Sequence, residues 1–71
     1  MEFVFGSNQA ARSAAAVLQT QLEQLANKKI MVRSDGSRVT IAFPALSPRK
    51  KKVAVYTAKR LAALMRTLED L

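Results

Sequence analysis

The 71-residue sequence contains no cysteine and no histidine. Without cysteine, neither a disulfide framework nor a catalytic thiolate is possible, and without both residue types the usual zinc sites cannot form. The lack of histidine also removes the imidazole that most often acts as a general base or activates a serine. We therefore predict that the protein is not an enzyme and that it requires no metal and no cofactor.

Glycine and long apolar runs are also scarce. Only Gly6 and Gly36 are present, so the chain has no glycine-rich loop to hold a phosphate group. Uninterrupted apolar runs, such as residues 14–18, are far shorter than the roughly 20 residues of a membrane-spanning helix. The first residues lack the positive region and apolar core of a secretory signal. These absences predict a cytoplasmic protein with no membrane segment.

Acidic residues are outnumbered by basic ones. Twelve Lys and Arg residues against five Asp and Glu residues give a formal net charge of +7. Residues 28–60 hold ten of the twelve cations, with Asp35 as their sole acidic residue. Because the positive charge is concentrated in one part of the chain, we predict an anionic partner.

Two helices are predicted from composition and periodicity. Helix-forming residues run from Asn8 to Ala26, where Ser7 is a suitable N-cap and Asn27 a suitable end. The second helix is predicted from Thr57 to about Asp70, with Arg66 paired to Glu69 or Asp70. The predicted apolar stripes are Ala11, Ala14, Ala15, Leu18, Leu22 and Leu25 in the first helix, and Ala58, Leu61, Leu64, Met65 and Leu68 in the second.

The β-structure is predicted to be a short edge strand at residues 3–5 and a hairpin at residues 28–43. Asp35-Gly36 favours a two-residue type I′ loop, which makes Ser34 face Ser37 and sets Arg33 opposite Arg38. Alternation then gives the hairpin an apolar inner face and a cationic outer face. The inner face comprises Ile30, Val32, Val39, Ile41 and Phe43, and the outer face comprises Lys29, Met31, Arg33, Arg38 and Thr40.

Residues 53–56 fit two interpretations. Their β-branched and aromatic side chains favour a third short strand, which we expect because four cations in a first helical turn would oppose the helix dipole. The competing interpretation is one long helix that is capped by Ser47 and has Pro48 at its first position. The predicted fold is an α+β single domain over residues 1–71, of order β-α-β-β-(β)-α, with two helices packed on one face of a short antiparallel sheet.

The order α-β-β-β-α predicted from residue 8 onward is similar to that of double-stranded-RNA-binding domains. The basic run at residues 49–52 and the alanine-rich residues 58–63 resemble the basic segment and last helix of that family. The chain departs from the family pattern because no glycine precedes the basic run and four apolar residues follow it. We therefore assign the chain to no family.

The charge distribution predicts a small basic nucleic-acid-binding protein of the accessory or regulatory type found on compact microbial or phage genomes. It would bind a duplex largely through backbone phosphates, with the hairpin narrow enough to enter a major groove. One alternative is a protein-interaction module or inhibitor that docks on an acidic protein surface, and another is a receptor for a small anionic nucleotide. The candidate binding residues are Lys29, Arg33, Arg38, Arg49, Lys50, Lys51, Lys52, Lys59 and Arg60.

A homodimer is also predicted. A chain of this length buries only about 60% of its unfolded surface and is marginally stable alone. The alanines of the first helix, Ala10, Ala14, Ala15 and Ala16, are small enough for close packing against another copy.

Overall fold

A three-stranded antiparallel sheet and two helices make up residues 1–69, the part of the chain that the computed structural model describes. The strand order is β1-β3-β2, so β3 is central. Helix α1 packs on the sheet and against α2, which confirms the predicted α+β class. The elements in chain order are β1 (Glu2–Val4), α1 (Asn8–Ala26), β2 (Met31–Asp35), β3 (Arg38–Ala42) and α2 (Pro48–Glu69).

Helix α1 begins and ends where its sequence predicts. The Ala10 N–H donates to Ser7 Oγ at 3.1 Å, and Asn27 adopts the left-handed conformation with φ of 54°. One position of the predicted stripe is wrong, because Leu25 is exposed and Ala26 is buried in its place. Ala26 follows Leu22 by four residues and so stays on the buried side. The buried residues of α1 are Ala11, Ala14, Ala15, Leu18, Leu22 and Ala26.

The hairpin has the predicted faces but a different register. Its loop is Gly36-Ser37, so Asp35 pairs with Arg38, and Arg33 pairs with Thr40 rather than with Arg38. A type I′ loop would need positive φ at Asp35, whereas the observed loop has its positive φ, +61°, at Gly36, the first position of a type II′ loop. The pairing shift is two residues, which leaves every side chain on its predicted face.

The apolar face of the hairpin lies in the core. Ile30, Val39 and Ile41 are buried, and Val32 and Phe43 pack against the core at its margin. The sequence therefore predicts the buried face of the hairpin correctly even though it predicts the wrong pairing.

Residues 53–56 belong to helix α2, so the prediction of a third strand is wrong and the competing interpretation is confirmed. The Lys50 N–H donates to Ser47 Oγ at 3.3 Å, and Pro48 occupies the first helical position. The four cations of the first turn are exposed, and solvent screening reduces their unfavourable interaction with the helix dipole. The observed order β-α-β-β-α also lacks the third consecutive strand of double-stranded-RNA-binding domains.

Burial of small residues explains why α2 is one long helix. Ala54, Ala58 and Ala62 recur every four residues and are fully buried, whereas Leu64 and Leu68 of the predicted stripe are exposed. A strand at residues 53–56 would remove Ala54 from this row. Helix packing therefore outweighs the β-propensity of the flanking valines and tyrosine.

The alanines of α1 are largely used within the chain. Ala14 and Ala15 belong to the core, Ala10 packs against it, and Ala16 is exposed. Ala14 and Ala15 are therefore unavailable for the predicted contact with another copy. The homodimer itself stays a prediction.

The last turns of α2 are attached to β1 and the residues that follow it. Arg66 Nε donates to the carbonyl oxygen of Val4 at 3.0 Å, and its guanidinium lies 5.9 Å and 5.7 Å from the ring centres of Phe3 and Phe5. The Gly6 N–H donates to the carboxylate of Glu69 at 3.2 Å. Arg66 and Glu69 thus each bond to backbone instead of pairing with one another, and the alternative partner Asp70 lies outside the described residues.

Candidate nucleic-acid interface

The predicted binding residues lie in three places in a molecule whose longest dimension is 35 Å. Lys29 and residues 49–52 lie at one end, Arg33 and Arg38 lie toward the other, and Lys59 and Arg60 lie on the middle of α2. At one end, α1 finishes close to the start of β2, and β3 leads into the start of α2. Lys28 Nζ joins these segments by donating to the carbonyl oxygen of Ala45 at 3.1 Å. We call this end, which carries Lys28, Lys29, Arg49, Lys50, Lys51 and Lys52, the basic end.

Arg33 and Arg38 lie toward the hairpin loop, away from the basic end. Arg38 Nε makes an ion pair with Glu2 Oε1 at 3.0 Å, and Arg38 is also the cross-strand neighbour of Asp35. The predicted like-charge pair of Arg33 and Arg38 is therefore wrong. Because acidic side chains accompany these arginines, the hairpin does not present a purely cationic ribbon.

The first half of α2 presents a basic stripe to solvent. Positions 49, 52 and 56 are separated by three or four residues, and positions 59 and 60 follow position 56 by three and four, so all five side chains project from the same side of the helix. All five are exposed, on the side opposite the buried alanines. At 1.5 Å per residue they cover about 16 Å of the helix axis. We call Arg49, Lys52, Tyr56, Lys59 and Arg60 the basic face of α2.

The cations of the basic end and of the basic face of α2 have no ion-pair partner within residues 1–69, where the sole ion pair joins Arg38 to Glu2. Glu23 lies near the basic end, since its Oε2 accepts the Ile30 N–H at 3.1 Å, but it makes no ion pair with the cations there. Glu2, Asp35 and Glu69 all lie toward the opposite end. The fold therefore concentrates uncompensated positive charge at one end.

The start of α2 adds to this positive potential. Its first N–H groups carry the positive end of the helix dipole, which favours nearby anions. Ser47 caps one of them, the Lys50 N–H. Four adjacent cations at this position do not stabilise the helix, so their arrangement fits contact with an external anion better than a role in folding.

Tyr56 is a residue of this face that the predicted binding residues do not include. On the predicted strand, Tyr56 would be separate from the basic run. Within α2, it lies four residues after Lys52 and four before Arg60. Tyr56 is 66% exposed. The four-residue spacing of Lys52, Tyr56 and Arg60 is the sequence signal that places Tyr56 on the basic face. It does so only if residues 53–56 are helical, because only a helix brings residues four apart to the same side.

A separate apolar groove of about 370 Å³ lies between the first half of α1 and the last turns of α2. Phe5, Val17, Met65 and Leu68 contribute to its walls, and among residues 1–69 Glu69 is the one ionisable residue that lines it. Residues 1–69 hold no cluster of three metal-ligating side chains, and neither described helix combines the length and apolarity needed to cross a membrane. The groove and the basic face of α2 are distinct surfaces.

No family model matches the sequence, and no curated protein or solved structure shows significant similarity to it.

Proposed function

We propose that the protein binds duplex nucleic acid through the basic face of α2 and the adjoining basic end. The observation that carries this proposal is the continuous helix α2, on which Arg49, Lys52, Lys59 and Arg60 share one exposed side without a carboxylate partner in residues 1–69. Such a row of cations neutralises phosphates and releases their counterions, which is the main source of affinity in backbone binding.

The dimensions of α2 suit a duplex. A helix with its side chains is about 10–12 Å across, and the major groove of B-form DNA is about 12 Å wide. The α2 helix therefore replaces the hairpin as the element that approaches the groove. Because Lys and Arg dominate the face, contacts to phosphates outnumber contacts to base edges, and binding depends weakly on sequence. This mode of binding suits an accessory or regulatory protein of the cytoplasm.

Tyr56 suggests an alternative ligand, which is a single strand of nucleic acid. An exposed aromatic ring among cations is the arrangement that stacks on unpaired bases in single-strand binding proteins. Such proteins use several aromatic platforms, however, whereas Tyr56 stands alone on the basic face of α2. This favours a duplex, against whose backbone the ring packs.

Charge-matched variants test the proposal. The double variant Lys52→Ala/Arg60→Ala removes two cations from the basic face of α2, and Arg12→Ala/Arg38→Ala removes two cations elsewhere, so both lower the net charge equally. We expect the first variant to bind duplex DNA and RNA more weakly and to reduce the salt slope by up to about 0.9 for each phosphate that the variant no longer neutralises. The second variant should bind as the parent protein does.

Three outcomes would overturn this proposal. Equally weakened binding in both double variants would show that net charge, and not the basic face of α2, determines binding. Failure of the parent protein to bind either duplex at low salt would leave an acidic protein surface as the partner. Tighter binding to single strands, abolished in Tyr56→Ala, would replace the duplex with a single strand.

A further inference from the structure

The two edges of the sheet differ in whether their outward backbone groups have hydrogen-bond partners. Ile41 exchanges backbone hydrogen bonds with Met1, at 2.7 Å and 3.0 Å, so the polar groups of Ile41 point toward the β1 side. Backbone groups alternate along a strand, so Thr40 and Ala42 bond toward β2 and engage Arg33 and Met31. The N–H and C=O groups of the intervening residues, Val32 and Ser34, consequently face the outer edge of β2.

The outer edge of β1 is covered by α2. By the same alternation, the backbone groups of Val4 point away from β3, and the carbonyl oxygen of Val4 accepts its hydrogen bond from Arg66. The Gly6 N–H is bonded to Glu69. Among the described residues no comparable side-chain bond reaches the edge of β2. An open strand edge is a template for pairing with another strand.

The outward face of β2 has a charge pattern that is complementary to itself. Arg33 and Asp35 are both exposed and lie two residues apart on this face. If two copies of β2 pair antiparallel about Ser34, each Arg33 lies opposite the Asp35 of the other copy. Both contacts then occupy the closer, non-hydrogen-bonded cross-strand position.

The neighbouring registers are disfavoured by the same charges. Sliding the pairing by two residues in one direction sets Arg33 against a second Arg33, and sliding it in the other direction sets Asp35 against a second Asp35. Like charges directly across a strand pair are destabilising. Of these three registers, pairing about Ser34 alone sets opposite charges against each other, which favours it over the other two.

We propose that the protein forms a symmetric dimer in which two β2 strands pair antiparallel about Ser34, joining the two sheets into one. The contact is isologous, so a single two-fold axis closes the assembly and leaves no open β2 edge. It uses neither Ala14 nor Ala15 and leaves the basic face of α2 exposed. It is independent of nucleic acid.

Proline at position 34 tests the backbone contact. The Ser34 N–H faces the open edge, so Ser34→Pro removes no hydrogen bond within the protomer, and proline is tolerated on edge strands. We expect sedimentation at tens of micromolar to give a dimer for the parent protein and for the control Ser34→Ala, and a monomer for Ser34→Pro. Circular dichroism checks that each variant is folded. A monomeric parent protein, or a dimer that survives in folded Ser34→Pro, overturns the proposal.

Two charge variants test the register and do not depend on the proline. In the proposed pairing, position 33 of one copy lies opposite position 35 of the other. Arg33→Asp therefore sets two acidic side chains opposite each other, and Asp35→Arg sets two basic side chains opposite each other. Each variant alone should be monomeric, and an equimolar mixture should form a dimer because both cross-strand contacts are again attractive. If the mixture stays monomeric while both variants are folded, or if either variant dimerises as the parent does, the proposed pairing is wrong.

Discussion

Leu22 and Leu25 lie one turn apart on α1, and sequence periodicity places both in the core. The structure separates them: Leu22 has no exposed surface, whereas Leu25 is 43% exposed. Burial of a leucine side chain is among the larger stabilising contributions in a chain this small. The pair therefore gives a direct comparison of two identical side chains in the same helix.

We predict that Leu22→Ala lowers the free energy of unfolding by about 2–5 kcal/mol, because it removes buried methyl groups and leaves a cavity. Leu25→Ala, its matched control, should cost well under half as much. Urea unfolding of the two variants measures both values. Similar destabilisation in the two variants would show that α1 is rotated relative to the structure described.

Arg38 shows why the charge environment of single residues is hard to predict. The sequence indicates a repulsive pair with Arg33, but the observed loop moves Arg38 opposite Asp35 and within 3.0 Å of Glu2. The observed loop has Gly36, which adopts positive φ without a Cβ penalty, at the first position, where a type II′ loop needs it. Side-chain faces survive this shift, whereas cross-strand partners do not.

At the scale of elements, the sequence predicts α1 and the buried face of the hairpin well, because caps and alternation act locally. It fails for residues 53–56, where the deciding contacts are between distant parts of the chain. Ala54, Ala58 and Ala62 together form the buried side of α2, which packs against α1. The wrong prediction of a strand at residues 53–56 also separates Tyr56 from the basic residues. For this reason the basic face of α2 is not predicted from the sequence.

The first turn of α2 provides a test in which stability and binding change in opposite directions. Lys50 is the third helical residue after the cap Ser47, and its N–H already bonds to Ser47 Oγ. Lys50→Glu would complete a capping box and place a negative charge near the positive end of the dipole. We predict a gain in stability of about 0.5–1 kcal/mol together with weaker duplex binding.

Thermal unfolding and duplex titration measure the two effects, and Lys50→Gln is the control, because it removes the cation without adding a negative charge. Lower stability in Lys50→Glu would contradict the helical start at Pro48. Unchanged duplex affinity would exclude Lys50 from the contact surface.

At the scale of the whole molecule, the two ends differ in charge and in how α2 is held. The end with the hairpin loop holds Glu2, Asp35 and Glu69, and there α2 is fastened to β1. The basic end holds cations that have no carboxylate partner within residues 1–69. Because α2 runs between the two ends, hydrogen bonds secure it at one end, while its cations at the other end stay exposed to solvent.

The most direct test of this account is to map the contact surface by NMR, following backbone amide shifts as a short duplex is added at low salt. We predict that the affected amides cluster at residues 28–29 and 49–60, while those at residues 34–38 change little. The shifts should decrease as salt is added, because phosphate contacts are screened. Shifts centred on the hairpin loop, or spread evenly over the molecule, would contradict the assignment of the basic face of α2 as the nucleic-acid interface.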